Sequence, residues 1–144
     1  MREYTATCVR LCIDCFDDEN LQGKVYGIAL EHALAFTCLI DFVSKLDEAY
    51  NLIGRPQPFH VIRSFQEEKK YQSYQGNPKQ YYSSREIQEK KGRLLTVDLT
   101  MQTRKGAEWQ GVFKSTEGKW LGTFQTTMEC VKLLKKFTVP VTDL

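Results

Sequence analysis

The stretch Leu94-Leu95-Thr96-Val97-Asp98-Leu99-Thr100-Met101-Gln102-Thr103 alternates apolar Leu95, Val97, Leu99 and Met101 with polar Asp98, Thr100 and Gln102. Strand side chains point to opposite faces in turn, so this pattern predicts a strand with one buried face. The alternation recurs from Thr5 to Phe16, where Val9, Leu11 and Ile13 interleave with Arg10, Cys12 and Asp14. A gapless displacement of 88 residues lays the second stretch on the first, Val97 on Val9 and Leu99 on Leu11. The register then continues through Gln22-Gly23 on Gln110-Gly111, Phe36 on Phe124, Val43 on Val131 and Leu46 on Leu134. Seven identities thus fall in the 42 positions from Cys8 to Ala49. Among the other pairs, Ile13 with Met101, Leu21 with Trp109, Val25 with Phe113 and Ile40 with Met128 are apolar on apolar. A slip of one residue would turn every strand side chain to the wrong face. The preserved phase points to one unit used twice, by duplication or by convergent patterning of two similar elements.

Each unit reads strand, strand, strand, helix. In the first, Asp17 to Asn20 makes a turn into a strand over Leu21–Leu30. Residues 31–37 are either a short third strand ending at Phe36 or the start of a helix. The helix that follows carries Ile40, Val43, Leu46 and Ala49 on one stripe, with Thr37 as N-cap and Gly54, Pro56 and Pro58 as the stop. In the second unit, Lys105-Gly106 and Glu117-Gly118 turn the chain through Trp109–Ser115 and Lys119–Gln125. Thr126-x-x-Glu129 is a capping box, opening a helix expected to present Met128, Val131, Leu134 and Phe137 to a core until Pro140. A helix striped on one face must cover something, and the sheet is the available partner. The expected fold is therefore α+β in a single domain over 1–144. Internally duplicated βββα units form an antiparallel sheet of about six strands, or a partly open barrel, with two packed helices. The first repeat spans about 5–53 and the second about 94–138, joined by a segment of about 55–93.

A chain of 144 residues buries roughly 68–70% of its unfolded surface, enough to fold without metal or disulfide. No stretch approaches the roughly 18–20 apolar residues of a membrane span. The N-terminus lacks the apolar core of a signal peptide, which makes the cytoplasm the default location. Cys12-x-x-Cys15 invites a metal or redox reading, but a structural zinc site needs four ligands. Cys8, Cys12 and Cys15 also stand opposite Thr96, Thr100 and Thr103 in the 88-residue register. Those positions take a small strand-compatible residue, and a free thiol serves as a small hydrophobe. No cofactor or metal is expected. His32 and His60 are the only imidazoles, and nothing places Cys38 or Cys130 beside either. There is no glycine-rich phosphate loop, no Gly-x-Ser-x-Gly elbow and no helical metal-ligand histidine pair, so the expectation is a non-enzyme.

The net charge of +2 is unevenly spread. Residues 1–54 carry four basic and nine acidic groups, residues 55–93 nine and four, and residues 94–144 seven and five. The electropositive middle is also dense in tyrosine. Lysines neutralise phosphates and aromatic faces stack on unpaired bases. Lys69, Lys70, Tyr71, Tyr74, Lys79, Tyr81, Tyr82 and Arg85 fit that recipe for a single strand of DNA or RNA. The interleaved glutamates fit a solvated loop instead. The segment could also contain a short helix around Glu86 to Lys91. Trp109 takes the place of Leu21 and belongs in the core, whereas Trp120 takes that of polar His32. Flanked by Lys114 and Lys119, Trp120 could stack a base, although tryptophans at a sheet rim are more often buried.

Trp109-Gln110-Gly111, Glu117-Gly118 and Phe124 before an apolar helix resemble a group of small uncharacterised bacterial proteins, over about a third of the chain. That resemblance implies no activity. The duplicated sheet-then-helix layout looks like the Pur-alpha and Whirly single-strand nucleic-acid binders, whose two repeats interlock around a shared core. It departs from them in having three strands per unit rather than four. Asp14, Asp98 and Gln102 are also not the basic-aromatic set such a surface would use. Two functional expectations stand: a binding module for single-stranded nucleic acid, and a protein-interaction or regulatory module, homodimeric, with its acidic first repeat against a basic surface.

Overall fold

The computed structural model describes residues 3–55, 58–59, 79–105 and 108–138. Lys69, Lys70, Tyr71 and Tyr74 lie outside the described residues. Strands β1 (Cys8–Asp17), β2 (Asn20–Gly27) and β3 (Leu34–Phe36) lead into helix α1 (Leu39–Ile53). A two-residue strand β4 (Pro58–Phe59) and helix α2 (Ser84–Gln88) follow. Strands β5 (Leu95–Lys105), β6 (Glu108–Lys114) and β7 (Trp120–Phe124) then lead into α3 (Thr127–Thr138). Among the described residues, six strands form one open antiparallel sheet in the order β3-β2-β1-β5-β6-β7, with β4 parallel to the end of β5. The sheet does not close into a barrel. The chain is α+β, with the short helix of the connecting segment present beside the two packed helices. Residues 34–36 are strand rather than helix, and α2 begins at Ser84, two residues before the expected start.

Positions 88 apart occupy corresponding places. The central strands β1 and β5 pair Val9 with Leu99, Arg10 with Asp98 and Leu11 with Val97. The ladder between β1 and β2 is broken by a bulge between Ile13 and Cys15, that between β5 and β6 by one between Met101 and Thr103. Gly23 pairs with Phe36 across β2 and β3, and Gly111 with Phe124 across β6 and β7. The helices cross the sheet in opposite directions. The Leu39 amide at the start of α1 donates to Glu19 O by the β1–β2 turn, while Asp47 and Asn51 further along accept from Arg104 near the end of β5. For α3, the Thr127 amide donates to Glu108 by the β5–β6 turn, and Lys135 Nζ reaches Phe16 O near the end of β1.

The helix starts follow a shared chemistry. Cys38, not Thr37, is the N-cap of α1: its Sγ accepts from the Asp41 amide at 3.4 Å, while the Asp41 carboxylate accepts from Thr37 N at 3.1 Å. In α3, Thr126 Oγ1 accepts from Glu129 N, and Glu129 accepts from Gln125 N, one residue beyond an ordinary capping box. Hydrogen bonds from Lys45 and from the Thr37 amide hold the Asp41 carboxyl below the usual carboxylate range. α1 ends at Gly54, which adopts φ +83° and donates to Tyr50 O.

The main core lies between sheet and helices. Val9, Leu11, Ile13, Val97, Leu99 and Met101 point into it from the central strands, with Phe36, Phe42, Leu46, Trp109, Phe113, Phe124 and Leu134 around them. Phe42 packs edge-on against Phe36 at 5.1 Å and Trp109 at 6.4 Å between ring centres. Two expected core positions are not in it: Ile40 is 76% exposed and Met128 64% exposed. The inward stripe of α1 runs through Phe42, Leu46, Ala49, Tyr50 and Ile53, which turns Ile40 outward. Met128 holds the corresponding outward place on α3.

Strand β1 departs from the one-sided pattern. All of Cys8 to Ile13 are buried, because residues 80–94 cross the face opposite the helices. Tyr81 N donates to Ile28 O, Arg93 N to the Asp14 carboxylate and Leu94 N to Ile13 O. Beneath this cover a second small cluster forms from Tyr4, Cys8, Ile28 and Ile87, with Tyr26 and Tyr82 against it. Among the described residues no helix is long and apolar enough to cross a membrane.

Candidate nucleic-acid interface

One register row crosses five strands on the face opposite the helices. Tyr26 pairs with Arg10, Arg10 with Asp98, Asp98 with Lys114 and Lys114 with Trp120. Its two halves have different fates. On the β1 side the row is sealed. Arg10 and Asp98 are each 1% exposed and form an ion pair at 2.9 Å. Arg10 Nη2 also donates to Tyr4 Oη at 2.6 Å, and Tyr4 Oη donates to Asp98 at 2.7 Å. Arg10 Nη1 donates to the carbonyls of Gln88 and Lys90, which ties α2 and its exit to the sheet. Burial works against the guanidinium charge, but the Asp98 hydrogen bond and carboxylate outweigh it and raise the Arg10 pKa. Lys90 Nζ lies 5.4 Å from the Tyr26 ring and closes this end.

On the β6–β7 side the row emerges. Trp120 is 65% exposed on edge strand β7, and its Nε1 donates to Thr123 Oγ1 at 3.0 Å, which fixes the indole on the surface. Lys114 is half-buried beside it, and Lys119 is exposed. Thr100, Val112 and Thr123 form the next row of the sheet, all accessible. A sheet surface that offers one fixed indole face, cations and hydroxyls can stack a base and neutralise a phosphate.

The candidates from the central segment fall elsewhere. Lys79 Nζ sits 5.0 Å from the ring of exposed Tyr81. The Tyr82 hydroxyl donates to Glu31 O at 2.6 Å while its ring packs on the small cluster, so Tyr82 anchors the cover. Arg85 is exposed on α2. Tyr81 lies beyond the end of β2 and Trp120 on β7, four strand spacings or about 19 Å away. The candidates therefore form two groups, Lys79–Tyr81–Arg85 and Lys114–Lys119–Trp120. Arg10 and Tyr4 do not stand out in the sequence, where Arg10 is only the polar half of an alternation. A signal was present: Arg10 and Asp98 are opposite charges 88 residues apart. On two antiparallel strands related by that offset, only the central position faces its own counterpart.

The cysteines are all free. Burial pushes the Cys12 thiol up to about 11 and raises that of Cys130 further. Such thiols are poor nucleophiles near neutrality. Ellman's reagent is therefore expected to titrate two thiols rapidly in the native chain, half-buried Cys15 and exposed Cys38, and all five after denaturation. Rapid reaction of four or five would contradict the packing given for Cys8, Cys12 and Cys130. Among the described residues no group of three or more His, Cys, Asp or Glu side chains is arranged to hold a metal ion. No protein-family model, curated protein or solved structure matches the chain.

Proposed function

We propose that this chain is a non-enzymatic binding module that takes single-stranded nucleic acid on the uncovered half of its sheet. The observation that carries the reading is the exposed, hydrogen-bonded indole of Trp120 in register with Lys114, on a sheet whose other half is sealed by the chain itself. Lys119 extends the cationic rim. Lys79, Tyr81 and Arg85 offer a second contact, and Lys69, Lys70, Tyr71 and Tyr74 belong to the same proposal from outside the described residues. An origin by duplication of a βββα unit accounts for the matched bulges, caps and glycine–phenylalanine pairs. It also explains the asymmetry: one copy's sheet face received the connecting segment and the other was left for a ligand. Kinship with small bacterial proteins and a cytoplasmic location are part of this reading.

Fluorescence anisotropy of a labelled mixed-sequence oligonucleotide tests it. Binding is expected at low salt and should weaken steeply as salt is added. Lys114→Ala should reduce the log–log salt slope by about 0.7, the value of one neutralised phosphate on a single strand. Trp120→Ala should weaken binding by about 1–3 kcal/mol, the value of one stacked base. No anisotropy change with DNA or RNA at low salt would sink the proposal.

A further inference from the structure

The two edges of the sheet hold corresponding places in the 88-residue register, yet they differ in charge. On or beside edge strand β7 stand Lys114, Lys119, Lys132 and Lys136. The positions 88 residues earlier, about edge strand β3, are Tyr26, Glu31, Ser44 and Glu48. Each basic position at one edge is thus neutral or acidic at the other. Two carboxylates accompany the four lysines. Glu129 accepts from Gln125 N at 2.6 Å at the start of α3, and Glu117 lies exposed in the turn between β6 and β7.

Between β7 and α3 an open cleft of about 300 Å³ is lined by Thr123, Glu129, Lys132, Leu133 and Lys136. Lys132 and Lys136 are one helical turn apart, with Cβ atoms separated by about 6 Å, and both are exposed. Among the described residues neither forms an ion pair. Lys135, by contrast, is engaged elsewhere: its Nζ donates to Phe16 O at 3.2 Å and lies 4.5 Å from the Phe16 ring. Glu129 is held at the first turn of α3, about 10 Å along the helix from Lys136, so the Lys136 end of the cleft is the cationic one. Thr123 joins the cleft to the open face, since its Oγ1 accepts from Trp120 Nε1. No aromatic ring lines the cleft, which suits it to a backbone phosphate and not to a base. We propose that the cleft is a phosphate subsite: a strand whose base stacks on Trp120 turns over the β7 edge, and its next phosphodiester groups lie along Lys132 and Lys136. This subsite rests on the reading of the open half-sheet as a nucleic-acid surface and gives the bound strand its path off that surface.

The test is the salt dependence of binding of a labelled mixed-sequence single strand to the full chain. Lys132→Ala combined with Lys136→Ala is expected to lower the log–log salt slope by about 1.4, the value of two neutralised phosphates on a single strand. Both side chains are exposed, so circular dichroism and Tm should match the parent. In a Trp109→Phe background the double variant should still show quenching of Trp120 emission at saturation, because the stacked base is untouched. Lys135→Ala removes one charge from the same helix but on the Phe16 side, and it should lower the slope by much less than one phosphate's share. If the double variant binds with the parent's slope, or if Lys135→Ala lowers the slope as much per charge, the subsite is overturned while the half-sheet reading stands. A parent chain that binds no single strand at low salt overturns both.

Discussion

Asp98→Ala is expected to destabilise the protein by about 3–5 kcal/mol, because it leaves a guanidinium that is 1% exposed without its counter-charge. For a chain of this size that is a fall in Tm of roughly 10–20 °C, measurable by calorimetry or circular dichroism. The loss comes from the charge left behind more than from the bond removed. Replacing both partners, Arg10→Met with Asp98→Leu, should therefore recover most of it. It should not recover the attachment of the cover. Gln88 O and Lys90 O accept from Arg10 Nη1, so in the double variant amides of residues 80–94 should exchange faster while the central strands stay protected. If Asp98→Ala costs less than about 1 kcal/mol, the pair is not a sealed central element of the sheet.

Gly111→Ala is expected to cost about 1–3 kcal/mol despite adding a single methyl group. A Cβ at Gly111 would collide with the Thr100 carbonyl oxygen and stand 2.6 Å from Phe124 Cζ. The oxygen belongs to the sheet ladder and cannot move aside without breaking the register between β5 and β6. Gly23→Ala should behave alike, since its Cβ would meet the Cys12 carbonyl oxygen and lie 3.0 Å from Phe36 Cζ. Gly122 supplies the contrast. The nearest atoms to its added Cβ belong to the flexible Leu133 side chain, at 3.3 Å, so Gly122→Ala should change stability far less. Chemical denaturation of the three variants checks the ranking, and equal effects at all three positions would contradict it.

The strands were legible in the sequence wherever alternation met turn residues, as at Leu95 to Met101, and α1 ended where Gly54 and the following prolines placed its stop. Two features were not legible, each for its own physical reason. Ile40 and Met128 fall on a helical stripe that includes true core residues, and periodicity cannot say which edge of a stripe points past the neighbouring helix. Arg10 and Asp98 alternate as solvent-facing residues do. Only the path of residues 80–94 across the sheet reveals that they are buried. The candidate interface was half legible: Trp120 was marked by its exchange with a polar residue, but Tyr82 reads as exposed in sequence and is anchored through Glu31 O in the fold.

The binding proposal rests on Trp120, and the chain provides its own probe. It has two tryptophans, Trp109 2% exposed in the core and Trp120 at the surface. In a Trp109→Phe variant whose circular dichroism matches the parent, all indole emission comes from Trp120. Titration with a single-stranded oligonucleotide at low salt is expected to quench that emission saturably, and added salt should restore it. Emission that stays constant through an excess of single-stranded DNA and of RNA would contradict the assignment of the open half-sheet as a nucleic-acid surface.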